Sequence, residues 1–431
     1  MQPASHRTLP RLFPGHPPGL TIIVLTGLWE VFALFGMRTI LVFYLLELGY
    51  SAGRAIEIYS LSTAAAFAIT LVGAVLADRV LGVRRAILIG ATGMAAGHLL
   101  LIWPVMLFPA LTLVVLANGL FKPSLVSQIG TLYRRDDPRR DRAFLLYKAG
   151  CNAGAIFAPI ICGLIGQAYG WRSAIALCGG VMCLAALIYL FGNHMIRVVE
   201  QDRTDQTGDD AAMAAGTGQK GRWTLLALIF VSGVLFWAAH GQQGGAIAIW
   251  ASQSVDRGIG WAGERFIVPA AWFQSVNPII IVLFTPLLAW IWSRRDRRAD
   301  GRHELRKMAF GALLLAGSFA LLVAAAGMAG KGMAAMPWLI AALVLLAVGE
   351  LYFDAIGQAL LVRLAPASLT TVFISLWFLV QALGLGIAGW LGGTWETVSP
   401  AAYFLVVTGM AAVAAIVAMS AAAAMRERAP S

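Results

Sequence analysis

The chain has 431 residues, of which 59% are hydrophobic and 12% charged, with a net formal charge of +11 and a mean hydropathy of +0.78. That composition excludes a single soluble domain or a disordered chain and points to a polytopic membrane protein. No P-loop or HExxH spacing is present, so neither an enzyme nor a cofactor or metal site is expected.

The chain opens on a polar segment, residues 1–19, that carries Pro3, Pro10, Pro14, Pro17 and Pro18. The apolar run after it is too long for a signal-peptide core, so no cleavage is expected. A spanning helix needs about 20 mostly apolar residues. Twelve such runs follow, near 20–47, 55–77, 86–106, 108–132, 143–168, 173–192, 223–252, 265–293, 308–328, 335–362, 369–392 and 398–422.

The longest polar stretch, 194–222, separates residues 20–193 from 223–422, six runs on either side, and residues 423–431 form a tail. Its Ala, Gly, Thr and Asp content predicts a flexible linker. Arg79, Arg84, Arg85, Arg134, Arg135, Arg139, Arg140, Arg142 and the bases between Arg294 and Lys307 all fall on one side of the predicted topology. The positive-inside rule makes that side cytoplasmic, with both termini on it. The excess of base therefore follows from topology and argues for no nucleic-acid partner. Cys151, Cys162, Cys178 and Cys183 lie within spans without metal-ligand spacing and are read as packing residues.

A charge at the bilayer centre costs about 2.5–3.5 kcal/mol even on the lenient insertion scale, and it persists where it faces a protein interior or a wet cavity. In chain order, Glu30 and Arg38 stand in the first span, Lys122 in the fourth, Lys148 and Asn152 in the fifth, His240 and Gln242 in the seventh, Asn277 in the eighth, Glu350 and Asp354 in the tenth, and Trp377 in the eleventh. Glu30 and Lys122 both approach mid-bilayer, where a pair could release or capture a proton, or stand as a static structural pair. Arg38 offers a planar fork suited to a carboxylate, or else snorkels to the interface. Glu350 and Asp354 share one helix face and offer a second protonation site or an anchor for an amine. Lys148 and Asp354 sit symmetrically below Asn152 and Glu350 and are read as a gate on the cytoplasmic side. Arg54 or Glu57 with Asp256 or Arg257 is the corresponding guess for the outer side.

A basic loop follows the second helix of each half, Asp78-Arg-Val-Leu-Gly-Val-Arg-Arg85 and Ser293-Arg-Arg-Asp-Arg-Arg298. With twelve spans, this resembles the major facilitator superfamily, an all-α membrane fold of two six-helix bundles. The segments Val115-Leu-Ala-Asn-Gly-Leu-Phe-Lys-Pro-Ser124, Asp137-Pro-Arg-Arg-Asp141, Asn152-Ala-Gly-Ala155 and Trp272-Phe-Gln-Ser-Val-Asn-Pro278 closely resemble the proton-coupled oligopeptide transporter family within it. Two departures bear on the site. The family's ExxER motif reads Gly27-Leu-Trp-Glu-Val31 here, keeping one carboxylate, and the family's glutamate in helix seven is Gly241.

The resemblance implies a proton-coupled carrier of a small zwitterionic or carboxylate-bearing, peptide-like solute, working by alternating access in a bacterial inner membrane. A monomer is expected to suffice. The alternatives are a carrier of nitrate, a siderophore or a drug, in either direction, and a non-transporting membrane sensor. The implied substrate contacts are Arg38, Lys122, Lys148, Asn152, His240, Gln242, Asn277, Glu350, Asp354 and Trp377. The implied proton-coupling residues are Glu30, Lys122, Glu350 and Asp354.

Overall fold

A computed structural model describes residues 12–134, 137, 139–196, 219–261, 264–295, 301–330, 332–364 and 370–425. Most of the predicted linker and of the C-terminal tail, and the first eleven residues, lie outside these described residues.

The first half folds as α1 (Pro18–Glu47), α2 (Ala52–Leu76), α3 (Val83–Leu100), α4 (Leu107–Thr131), α5 (Arg139–Tyr169) and α6 (Trp171–Gly192). The second half folds as α7 (Gln219–His240), α8 (Ala246–Gln253), α9 (Val276–Arg295), α10 (Gly301–Ala329), α11 (Met336–Leu364), α12 (Thr370–Gly392) and α13 (Pro400–Ala424). Among the described residues, ten helical segments have the length and composition to cross a membrane, and α7 and α8 together form one of them. Two further helices complete twelve traverses: α3, which opens on Arg84 and Arg85, and α12, whose apolar stretch is confined to Leu376–Gly392.

Local chemistry sets the helix starts. Ser51 and Ser399 accept hydrogen bonds from the amides of Arg54 (3.3 Å) and Ala402 (3.2 Å), the usual way to satisfy orphan donors at a first turn. Pro18 and Pro400 occupy first-turn positions, where a missing N–H is harmless. The seventh traverse is broken. A 3-10 turn at Gly241–Gln243, followed by Gly244 and Gly245, separates α7 from α8, which rotates the faces that successive side chains present.

Each half is a bundle. α1 packs on α5 and α6, and α3 packs on α4 and α6; in the other half α10 packs on α11 and α13, and α7 on α12 and α13. The two halves meet chiefly at the end opposite the basic loops. There Trp272 Nε1 donates to the Ile160 carbonyl (3.0 Å), Ser275 Oγ to the Ile156 carbonyl (2.8 Å), and the Ala52 amide to Glu396 Oε1 (2.8 Å). Small residues permit the approach. A Cβ on Gly244 would collide with the Tyr59 ring, and one on Gly245 would stand 2.8 Å from Ile56 Cγ2. Gly386 has open space around it and takes no part in the seam.

At the basic end, α4 and α5 are not packed against α11 among the described residues. Among the described residues the bundles are thus less closely packed on that side than at the seam.

The loop after α8 forms strands that the hydropathy pattern did not mark. β1 (Val255–Asp256) pairs in parallel with β4 (Ala334–Ala335), and β2 (Gly258–Trp261) with β3 (Glu264–Ile267) as an antiparallel hairpin in the register Gly258↔Ile267. The guessed outer pairing does not occur. Arg54 binds Glu57 on its own helix (2.6 Å), Asp256 binds Arg265 across the hairpin (2.7 Å), and Arg257 donates to the Val268 carbonyl (2.7 Å). The Gly258 amide and the Arg265 guanidinium hold the Asp256 carboxyl below the usual carboxylate range.

The seam yields a direct expectation. Gly244→Leu introduces a side chain where the Tyr59 ring already stands, and overpacking of this kind costs about 1–3 kcal/mol. Both bundles are expected to stay folded while the outer ends of α2 and α8 move apart, read as a longer distance between spin labels placed on those ends. An unchanged distance contradicts the close-approach role.

Candidate functional site

A cavity of about 300 Å³ lies between the bundles at mid-height. α1 lines it with Phe35 and Arg38, α2 with Tyr59 and Phe67, α4 with Lys122, and α5 with Cys151 and Asn152. From the other bundle come Trp237, His240 and Gln243 of the broken seventh traverse, Gln274 and Asn277, and Glu350 of α11. Six of the sequence-predicted contacts thus share one wall: Arg38, Lys122, Asn152, His240, Asn277 and Glu350.

The acid side is built around one oxygen. Glu350 Oε2 takes Asn277 Nδ2 at 2.6 Å and His240 Nε2 at 3.0 Å. Asn277 also reaches Gln243 Oε1 (3.3 Å), and Gln274 donates to the Gln243 backbone carbonyl (2.9 Å). Aromatic rings fix the imidazole. Phe236 stacks on His240 with centroids 6.0 Å apart, Trp237 meets it edge-on at 4.9 Å, and Phe236 stacks in turn on Phe353 at 3.9 Å. These rings pack on two sides of the imidazole beside the carboxylate.

The basic side is looser. The Arg38 guanidinium lies over Phe35 (5.7 Å) and Tyr59 (6.0 Å), a cation–π arrangement that tolerates a charge in an apolar setting. Its Nε has no hydrogen-bond partner. Lys122 faces the cavity, and among the described residues neither cation is held in an ion pair.

Glu30 is fully buried behind this wall, and neither carboxyl oxygen has a hydrogen-bond partner. Lys122 is near enough for its charge to act on Glu30, and Tyr147 and Cys151 of α5 are near enough to feel a charge on Glu30. The expected Glu30–Lys122 contact is thus a proximity across α1 and α4 and not a closed ion pair.

Four predicted contacts lie off the wall. Gln242 points into its own bundle, where Tyr403 donates to its Oε1 (2.7 Å) and its Nε2 donates to the Ala388 carbonyl (3.2 Å). The 3-10 turn after His240 rotates the chain so that Gln243 takes the cavity position instead. Trp377 is buried and donates its indole N–H to Asp354 Oδ1 at 2.7 Å. Asp354 also accepts from Gln381 (3.2 Å) and, on its other oxygen, from Gln358 (2.9 Å). Lys148 is exposed one turn towards the basic end and is not paired with Asp354 in this conformation.

Tyr59, Trp237, Gln243 and Gln274 complete the wall without having been selected as contacts from the sequence. The Gly244-Gly245 pair was the available signal for Gln243, because it marks where the helix period breaks. The departure at Gly241 has a steric side: a Cβ there would stand 2.7 Å from Leu385 Cδ2 and 2.9 Å from Ala388 Cβ, so a longer side chain would require these α12 side chains to shift.

The sequence profile of the POT family matches residues 84–216 and 217–405. The chain is similar to a di-/tripeptide transporter of Lactococcus lactis subsp. cremoris, 26% identical over 469 aligned residues that cover 93% of this chain and 94% of the relative. It is 27% identical to the peptide transporter YePEPT of Yersinia enterocolitica, with 91% of each chain covered. Among solved structures, a peptide transporter POT in complex with sulfate superposes with a TM-score of 0.84 at 26% identity, covering 96% of both chains.

The Trp377–Asp354 bond is testable by itself. Trp377→Phe keeps the ring and removes the donor, and hydrogen bonds to charged groups are worth about 1.5–3 kcal/mol. With Gln358 and Gln381 still in place, a loss of about 1–2 kcal/mol in unfolding stability is expected, measured by the thermal unfolding midpoint. An unchanged midpoint shows that the bond carries no stability.

Proposed function

Because the chain belongs to the POT family, we propose that it is a proton-coupled secondary transporter of small peptide-like solutes that bear a carboxylate. The observation that carries this reading is the cavity in which Arg38 and Lys122 from one bundle face Glu350 from the other, closed by a glycine seam at one end and, among the described residues, less closely packed at the other. Cations buried in lipid without use are costly. A cargo carboxylate between Arg38 and Lys122 gives them a partner. The relatives that are di-/tripeptide transporters support the cargo class.

Proton coupling is assigned to Glu30. Burying an ionised carboxylate without hydrogen bonds is prohibitive, so the conformation seen here is compatible with a proton on that group. Loss of the proton leaves a negative charge beside Lys122. The lysine then turns from the cargo carboxylate towards Glu30, and the cargo is released. Glu350 with His240 is the second group that exchanges a proton, and Asp354 tunes it from one turn away.

We place the basic end in the cytoplasm of a bacterial inner membrane, with residues 1–19, 194–222 and 423–431 on that side, and the chain acting as a monomer. The bundles 20–193 and 223–422 rock about the seam. In the opposite conformation α5 and α11 approach at the basic end, and there Lys148 and Asp354 form the gate.

Counterflow of labelled di- and tripeptides in proteoliposomes tests the cargo class. Exchange is expected for the labelled peptides, and a gradient of one pH unit is expected to drive about tenfold accumulation at one proton per cycle. Glu30→Gln mimics the protonated state, so it is expected to keep counterflow and lose pH-driven accumulation. Uptake indifferent to both peptide and pH gradient contradicts the proposal and favours a non-peptide cargo. Ligand binding without flux favours a sensor.

A further inference from the structure

A second cavity, of about 570 Å³, lies between α2 and α4 of the first bundle. The two helices meet where Gly119 packs on Ile69, so closely that a Cβ on Gly119 would stand 2.7 Å from Ile69 Cγ2. From that contact a groove runs towards the start of α2, with Leu61, Val72, Phe108 and Leu116 among its walls. These four side chains belong to residues between 49% and 60% exposed, so the groove is open sideways, towards the hydrocarbon that surrounds a membrane helix. Ser62 in its wall spends its hydroxyl on the Tyr59 carbonyl (2.9 Å). From Arg54 to Val72 the groove follows α2 for about 27 Å at a rise of about 1.5 Å per residue, more than the depth of about 15 Å that one leaflet of hydrocarbon has.

Only the mouth of the groove is charged. Arg54 and Glu57 line it at the end opposite the basic loops. Their side chains are 51% and 40% exposed and touch each other at 2.6 Å, from Arg54 Nη1 to Glu57 Oε2. An exposed pair of this kind is weakly held, so each side chain is free to exchange its partner for a group in the headgroup layer. Helical side chains lean towards the N-terminus of their helix, which in α2 carries both tips towards the membrane surface. A cation and an anion side by side match a headgroup that itself carries both charges. The planar fork of Arg54 suits a phosphate, and the Glu57 carboxylate suits the N–H donors of an ammonium.

We propose that this groove holds one phospholipid of the phosphatidylethanolamine class, with an acyl chain laid between α2 and α4, its phosphate on Arg54 and its primary ammonium on Glu57. A fully methylated ammonium has no N–H to donate to Glu57, and a headgroup with a phosphate alone sets a second negative charge beside that carboxylate. The site is separate from the cavity between the bundles and does not depend on what the chain carries.

Native mass spectrometry of the purified full-length protein tests this, with an equimolar mixture of dioleoyl phospholipids bearing ethanolamine, choline or glycerol headgroups. One retained ethanolamine lipid is expected, favoured about fivefold over the glycerol lipid, since exposed charge contacts are worth up to about that factor. Glu57→Gln, at an exposed position, is expected to erase the preference, and Ala65→Phe, which fills the groove, to reduce retention of all three lipids; if the second variant does not fold, the first decides. Equal retention of the three lipids by the unmodified protein shows annular lipid only and overturns the proposal, as does a preference for the glycerol lipid or a preference that survives Glu57→Gln. A dimer that forms as lipid is stripped and excludes it on re-addition overturns the proposal in favour of a second copy of the chain as the occupant.

Discussion

The high cost of placing an ionised group in hydrocarbon governs this molecule. Arg38, Lys122 and Glu350 stand in three largely apolar helices, two of which also carry Glu30 and Asp354, and none of those helices can expose its charge to lipid. The two bundles solve this together by turning all three towards the space between them. Once that space exists, its charge has to be satisfied by something that enters and leaves, because the protein does not close the ledger internally. Glu350 finds His240 and Asn277, whereas the cations on the other side are left with aromatic faces and a buried, unpartnered acid nearby.

The glycine seam is the mechanical counterpart. Gly244 lies against the Tyr59 ring and Gly245 against Ile56, so backbones from opposite bundles approach closely at one end with few polar bonds between them. A contact made mostly of van der Waals packing between small residues is cheap to break and remake, unlike an ion-pair network in low dielectric. Tyr59 links seam and cavity, since the same ring packs on Gly244 and lies under the Arg38 guanidinium. A cargo that draws Arg38 away therefore acts on a residue of the closed end.

The broken seventh traverse explains how the cavity acquires its acid-side chemistry. The 3-10 turn at Gly241–Gln243 places His240 and Gln243 on the wall and sends Gln242 to Tyr403 in its own bundle. Gly241 itself lines the cavity, and a side chain there would press on Leu385 and Ala388 of α12. Asp354 faces Trp377 and Gln381 of α12, which makes it a link between α11 and α12 more than part of the cavity surface.

Composition and the spacing of apolar runs were enough to read the fold class and the count of traverses, because a segment in lipid must satisfy its own backbone hydrogen bonds and so shows its length and period directly. Ionisable residues in those runs were equally legible, and Arg38, Lys122, Asn152, His240, Asn277 and Glu350 do share one wall. What the sequence left open is which side of a broken or crowded helix each polar group faces. Gln242 exchanged places with Gln243 because the local winding changed at a glycine-rich turn, Trp377 became a support for Asp354 because α11 and α12 cross there, and Lys148 stands apart from Asp354 because the bundles are less closely packed at that end. Those outcomes depend on crossing geometry and on the conformation adopted between bundles, and these arise from contacts far apart in the chain that no local pattern encodes.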